Sequence, residues 1–218
     1  MFDKIKFPIL TAFRIIFDIC RLETGTSSAM LSEKYGIRQK TIWAFKRKMQ
    51  LALSDQGINY LEGVVLISSF CINIRNKIEQ DNNVLIAVEI LPSGDVGKAY
   101  GCFIECISQQ NIQKFFDLRI STKAKVYIIR DKEYNLSLPN YNIVNNDDNS
   151  LFNVYQAYIL NVRRWLYGIH RHLSTKYLQG YLNEYFYRFN ERNNKNIAFD
   201  KAIELMVCHQ LKKTIDSQ

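Results

Sequence analysis

The feature that most constrains the fold is the order in which helical and strand patterns follow one another. Apolar residues recur at helical spacing up to about residue 55, short runs rich in Val, Leu and Ile follow, and helical spacing returns from Ser150. Helices are predicted at 7–21, 28–35, 39–53 and 108–118 and again after Ser150, and strands at 60–70, 84–91, 96–104, 125–129 and 141–144. This order predicts an α/β protein with a mixed sheet, in which a helical module (1–55) precedes the α/β domain (56–218).

The second and third predicted helices are joined by a short turn at Gly36, a residue type that commonly ends a helix. Ile42, Phe45, Met49 and Leu53 form an apolar stripe on the third helix. This pattern is typical of a helix-turn-helix, whose second helix enters the DNA major groove. We expect Arg38, Gln39, Lys40 and Thr41 to meet base edges, and Lys46, Arg47 and Lys48 to meet phosphates. An ordinary helical hairpin with a solvated basic face is the alternative interpretation.

The charge balance favours a polyanionic partner. The formal net charge is +8, and residues 1–55 hold ten Lys and Arg against five Asp and Glu. Because positive charge concentrated on one module attracts phosphate backbones, we expect duplex DNA as the partner.

Other partners and compartments receive less support. No apolar run approaches the ~20 residues of a membrane helix, and the first residues do not resemble a signal peptide. Three residues separate Cys102 from Cys106, but no second pair completes a zinc site. We therefore expect a cytoplasmic protein with no membrane partner, no bound metal and no cofactor.

Several segments resemble the ISXO-like insertion-sequence transposases of the DDE superfamily. The segments that carry the resemblance are 27–31 (SSAML), 39–43 (QKTIW), 168–178 (GIHRHLSTKYL), 181–185 (YLNEY) and 187–192 (YRFNER). The resemblance implies an N-terminal helix-turn-helix followed by an RNase H-like mixed-sheet domain with C-terminal helices. Family members often carry a zinc ribbon ahead of the helical module, and no such pattern precedes it here.

The resemblance also implies a catalytic site of three carboxylates that hold two divalent metal ions, about 3.5–4 Å apart. In this sequence the positions that match the three acids are occupied by Ser68, Ile129 and Gln156. The basic residue that the family places seven positions after the third acid is retained as Arg163. With it, we expect a second patch that contacts the DNA backbone, formed by Arg163, Arg164, Arg171 and Lys176.

These observations predict a transposase-family protein that binds duplex DNA, such as the ends of an element, and is catalytically inactive. One alternative is an active, Mg²⁺-dependent strand-transfer enzyme that uses Asp131, two residues beyond Ile129, with other ligands. Another is a protein-interaction scaffold with a vestigial DNA face, which forms a homodimer through its aromatic C-terminal helices. Salt-dependent DNA binding and metal-dependent nicking distinguish the three.

Overall fold

The computed structural model describes residues 2, 5–21, 24–55, 59–72, 83–129, 138–145, 149–170 and 173–215. Seven α-helices and five strands are assigned within these ranges. The helices are α1 (Ile9–Arg21), α2 (Ser28–Tyr35), α3 (Gln39–Ala52), α4 (Gln109–Arg119), α5 (Asn149–Ile169), α6 (Thr175–Asn190) and α7 (Lys195–Ile215). The strands are β1 (Val64–Cys71), β2 (Asn83–Ile90), β3 (Val96–Ile104), β4 (Lys125–Ile128) and β5 (Asn142–Asn145). The predicted α/β class with a mixed sheet is confirmed.

Local signals account for the ends of α2. The Ser27 side chain accepts a hydrogen bond of 3.2 Å from the backbone N–H of Met30, which satisfies one of the donors left free at a helix start. Gly36 ends the helix with φ of 63°, a left-handed conformation that costs glycine little. Both ends match the prediction.

The chain divides into two compact units whose composition differs from the predicted domains. A helical unit contains Met1–Gln56, Trp165–Arg171 and Asn183–Gln218, and a sheet unit contains Gly57–Arg164 and His172–Leu182. The division at residue 55 is therefore incomplete, since α7 belongs with the N-terminal helices. The physical reason is burial: Ala198, Ala202 and Met206 of α7 lie in one apolar core with residues of α1 and α3.

The aromatic residues of α6 are used inside the chain. Tyr181, Tyr185, Phe186 and Tyr187 are all buried, and the Tyr187 hydroxyl donates a hydrogen bond to the carbonyl oxygen of Ala198. Because these side chains already fill the protein's own core, they do not support the predicted homodimer through aromatic C-terminal helices, which stays a prediction.

The sheet has the strand order β3-β2-β1-β4-β5. The pairs β1–β2 and β2–β3 are antiparallel, whereas β1–β4 and β4–β5 are parallel. This mixed arrangement, followed by C-terminal helices, is consistent with the RNase H-like fold that the resemblance implied. The first strand begins later than predicted, because Gly63 adopts φ of 64° and interrupts the extended backbone immediately before Val64.

The two faces of the sheet are covered by different helices. On one face, Val65 and Ile67 of β1 share an apolar core with Phe115 and Phe116 of α4. On the other face, Tyr155 of α5 reaches the backbone of β2. The alternation of side chains along β1 therefore assigns odd-numbered residues to the α4 face and even-numbered residues to the α5 face.

No helix in the described part of the chain combines the length and apolar character that crossing a bilayer requires.

Candidate nucleic-acid interface and degenerate acidic site

The exposed side of α3 carries the residues expected to face DNA. Arg38, Gln39, Lys40 and Lys48 are exposed, and Thr41 is half-buried. The sequence of the helix contains no acidic residue, so no carboxylate on α3 opposes an approaching phosphate. The opposite side of α3 is buried, and the predicted core stripe of Ile42, Phe45, Met49 and Leu53 is confirmed.

Two further residues complete this surface. Trp43, one turn after Lys40, is 36% exposed. Arg47 is half-buried, and its guanidinium donates a hydrogen bond of 2.8 Å to the side-chain oxygen of Gln50. Lys40, Trp43, Arg47 and Lys48 follow the i, i+3, i+7, i+8 spacing of one helix face. We call Arg38, Gln39 and these four residues the α3 face.

The expectation that Lys46 contacts phosphate is wrong. Its side chain is only 3% exposed, and its ammonium group lies 3.0 Å from Oε1 of Glu184 on α6. The same ammonium donates a hydrogen bond to the backbone carbonyl of Thr26. A charge in that position is unavailable to solvent, and its function is to link α3 to α6.

Glu184 is the centre of this buried network. It is 0% exposed, and its Oε2 accepts a hydrogen bond of 2.6 Å from the side-chain amide of Gln50. Burial alone would raise the pKa of the Glu184 carboxyl, but the nearby positive charges of Lys46 and Arg188 outweigh it and hold that pKa below its usual value. The carboxylate is therefore charged inside the core, with cations as its partners.

His170 faces the same group of charges. Burial, assisted by the positive charge of Lys46, lowers the pKa of His170 to about 3. The imidazole is therefore neutral at physiological pH and adds no further positive charge to the core.

The sequence contains a signal for part of this network. In helical phase, Lys46 lies next to Leu53 at one edge of the apolar stripe, and Gln50 lies one step beyond Lys46. The phase therefore places both residues beside the buried side of α3. Glu184 and Arg188 had no such signal relating them to Lys46, because they lie far away in sequence.

The structure describes three of the four residues of the second predicted DNA-contacting patch. The Arg163 guanidinium carbon lies 4.7 Å from the centroid of the Phe70 ring, so this side chain is half-buried against β1. Arg164 and Lys176 are exposed. Arg171 lies outside the described residues, as does Asp131, the acid of the active-enzyme alternative.

The structure brings two of the three positions that the resemblance matched to acids side by side. Ser68 lies near the end of β1, and Ile129 follows β4, the parallel neighbour of β1. Ile67 pairs with Ile128, and the backbone N–H of Ile129 donates a 2.8 Å hydrogen bond to the carbonyl oxygen of Ile67. By strand alternation, Ser68 and Ile129 are adjacent on the face opposite to Ile67.

The third position lies on the helix that covers this face. Gln156 is half-buried on α5 and directly follows Tyr155. The Tyr155 hydroxyl donates a long hydrogen bond of 3.5 Å to the carbonyl oxygen of Ile86, the residue opposite Ser68 on β2. α5 therefore contacts the sheet beside Ser68 through Tyr155, the residue before Gln156.

The chemistry of these three side chains does not fit a pair of divalent cations. They offer a hydroxyl, an alkyl group and a neutral carboxamide, whereas Mg²⁺ is held mainly by carboxylates. Ile129 is 3% exposed and supplies no donor atom. In the described part of the chain, no group of three His, Cys, Asp or Glu side chains is arranged to hold a metal.

Comparison with known families identifies the central part of the chain. The model of the ISXO2-like transposase domain matches residues 60–190, more than half of the 218-residue chain. The chain belongs to the ISXO2-like transposase domain family. Searches of curated proteins and of solved structures each found no match. Family membership confirms the relation to insertion-sequence transposases of the DDE superfamily and supports a DNA-binding function of the transposase type.

The match to the ISXO2-like transposase domain has informative limits. It covers all five strands and α4 to α6, but begins after α3 and ends before α7. It therefore includes Ser68, Ile129 and Gln156 but not the α3 face. The assignment of the α3 face to DNA binding is therefore supported by the charge and exposure of its residues and not by the family match.

Proposed function

We propose that this transposase-family protein binds duplex DNA through the α3 face and does not catalyse strand transfer. The observation that carries the proposal is the surface of α3, where Lys40, Trp43, Arg47 and Lys48 share one face of a helix without acidic residues. Such a helix, presented after a short turn, suits the major groove. Arg38 and Gln39, at its start, would contact base edges. Lys40 shares one exposed helix face with Lys48, so we now assign it with Lys48 to phosphates instead of base edges.

The absence of strand transfer is supported by the identities at the acidic positions. Two-metal catalysis needs several carboxylates, since two cations a few ångströms apart repel one another. Ser68 and Ile129 lie on or directly after neighbouring parallel strands, and Gln156 follows Tyr155, which contacts β2; none of the three side chains provides a carboxylate. We infer that the family's fold is retained for binding, with Arg163, Arg164 and Lys176 as a second set of backbone contacts.

DNA binding by the natural chain is expected to weaken steeply with salt. Three or four phosphate contacts would reduce the affinity by about 40- to 150-fold between ~50 and ~200 mM salt, because each contact releases counterions. K40E/K48E should reduce the slope of log affinity against log salt by about 2. Fluorescence anisotropy with a labelled duplex measures both quantities.

The matched control is K114E/K123E, which makes the same change of charge at two exposed lysines of the sheet unit. It should leave the salt slope nearly unchanged. The proposal fails if the natural chain does not bind at ~50 mM salt, or if the two double variants reduce the slope equally.

The chain is also expected to leave supercoiled plasmid intact in millimolar Mg²⁺ or Mn²⁺, because the acidic positions supply no metal ligands. Gel electrophoresis of the plasmid over a time course measures nicking directly. Nicking that stops when EDTA is added and is lost in D131N would instead establish the active-enzyme alternative.

A further inference from the structure

The helical unit contains a pocket that the proposed function does not use. Its volume is about 490 Å³, within the range of about 300–1,000 Å³ typical of small-ligand sites. Cys20 and Arg21 from the end of α1 line the pocket together with residues from the end of α6 to the start of α7. The lining residues from this second part of the chain include Arg188, Phe189, Arg192, Asn193 and Lys195.

The lining is strongly cationic. Arg21, Arg192 and Lys195 contribute three positive charges, and no acidic side chain is among the described residues that line the pocket. The charge of Arg188, a fourth lining cation, also stabilises the buried Glu184 carboxylate. Glu191, which precedes Arg192 in sequence, forms an ion pair with Lys201 at 2.9 Å. Such a concentration of one sign of charge within a concave surface attracts anions.

Two of the arginines are held in place by aromatic rings. The Arg192 guanidinium carbon lies 4.0 Å from the centroid of the Phe189 ring, and its Nη1 donates a 2.8 Å hydrogen bond to the carbonyl oxygen of Phe189. Arg188 is only 8% exposed, and its guanidinium carbon lies 5.3 Å from the centroid of the Trp165 ring. Because these groups are already ordered, less conformational entropy is lost when a ligand binds.

The shape of the donor set favours phosphate over other anions. Guanidinium groups match phosphate oxygens with two parallel hydrogen bonds, and the Asn193 amide adds a neutral donor. Lys195 is also the first residue of the 21-residue helix α7, whose positive end therefore lies beside the pocket. Carboxylates would satisfy fewer of these donors than a tetrahedral phosphate with its three or four acceptor oxygens.

We propose that this pocket binds a phosphate group, supplied either by the DNA backbone or by a free phosphate compound. It is distinct from the α3 face, since none of the α3 face residues lines it. The inference does not depend on binding of duplex DNA by α3, and the two can be tested separately.

The test titrates the full chain with sodium pyrophosphate at constant ionic strength and follows the melting temperature. The natural chain is expected to gain stability by mass action, because the ligand binds the folded state. R192Q/K195Q removes two lining cations and should weaken binding by at least about tenfold, since each lost charge-assisted hydrogen bond costs about that factor. R21Q/K195Q serves as a second pocket variant. It changes two exposed lining residues and leaves the contacts of Arg192 intact.

The control K114Q/K123Q removes two exposed charges elsewhere and should bind pyrophosphate as the natural chain does. Equal affinity in the control and in both pocket variants would overturn the proposal, as would stabilisation by chloride of the same ionic strength.

Displacement of pyrophosphate by a duplex oligonucleotide would support a DNA phosphate as the ligand, whereas displacement by a mononucleotide alone would support a free phosphate compound. K40E/K48E should retain pyrophosphate binding, so failure of the α3 proposal would leave this result unaffected.

Discussion

Replacing Glu184 with Gln is expected to lower the free energy of unfolding by about 3–5 kcal/mol, because the change leaves buried cations without their carboxylate. Lys46 and Arg188 are both almost fully buried, and Lys46 lies 3.0 Å from Glu184. For a chain of this size the loss corresponds to a fall in melting temperature of roughly 10 °C. Thermal and urea unfolding followed by circular dichroism measure the effect.

The matched control is E204Q, the same chemical change at an exposed position of α7 in the same unit. It should change the free energy of unfolding by less than about 0.5 kcal/mol. Adding K46M to E184Q should recover part of the lost stability, since it removes one of the unpaired cations. If E184Q were no less stable than E204Q, the ion pair would contribute nothing to the fold.

The same network predicts how the stability of the natural chain and that of E184Q change as the pH is lowered. The pKa of Glu184 is lowered in the folded state, so its contribution is complete above the unfolded value of about 4.3 and is lost as the pH falls through the folded pKa. The difference in stability between the natural chain and E184Q should therefore narrow in acid below that range. If the difference in free energy of unfolding between the two proteins stays constant down to pH ~2, packing and not charge is the origin of the lower stability of E184Q.

Elements with strong local signals were predictable. Ser27 and Gly36 set both ends of α2, and β3 was predicted with the bounds it has, because the Pro92–Asp95 turn precedes it. The resemblance also led to Ser68 and Ile129, which the structure places side by side. Caps, turns and periodicity act over a few residues, so a single sequence displays them.

Contacts between distant segments were not predictable in the same way. The Lys46–Glu184 ion pair joins two helices that lie on either side of the whole sheet in sequence. Helical spacing predicts a helix near the end of the chain but not the core in which it packs, so α7 falls in the predicted α/β domain although it packs in the helical unit. Tertiary structure determines which of several apolar helix faces pack together. The local spacing of apolar residues does not contain that information.

The three degenerate positions provide a direct test of how much of the ancestral site survives. Ser68 and Ile129 are adjacent on parallel strands, and α5 approaches the same face through Tyr155 and Ile86. If the backbone still has the geometry of an acidic site, S68D/I129D/Q156E would place three carboxylates in one region. Like charges at close range disfavour one another's ionisation, so this variant should be less stable than the natural chain without metal.

Divalent metal is expected to reverse that loss. At a metal concentration 100 times Kd, binding to the folded state alone adds about 2.7 kcal/mol, which for a chain of this size raises the melting temperature by roughly 5–10 °C. The natural chain and S68N/I129N, which has side chains of similar size but no added charge, should show almost no response to Mn²⁺ or Mg²⁺. Differential scanning calorimetry with and without metal measures the difference. A triple variant that folds but ignores both metals would show that the three positions do not converge, and the proposed origin of the inactive site would then be wrong even though the family assignment would stand.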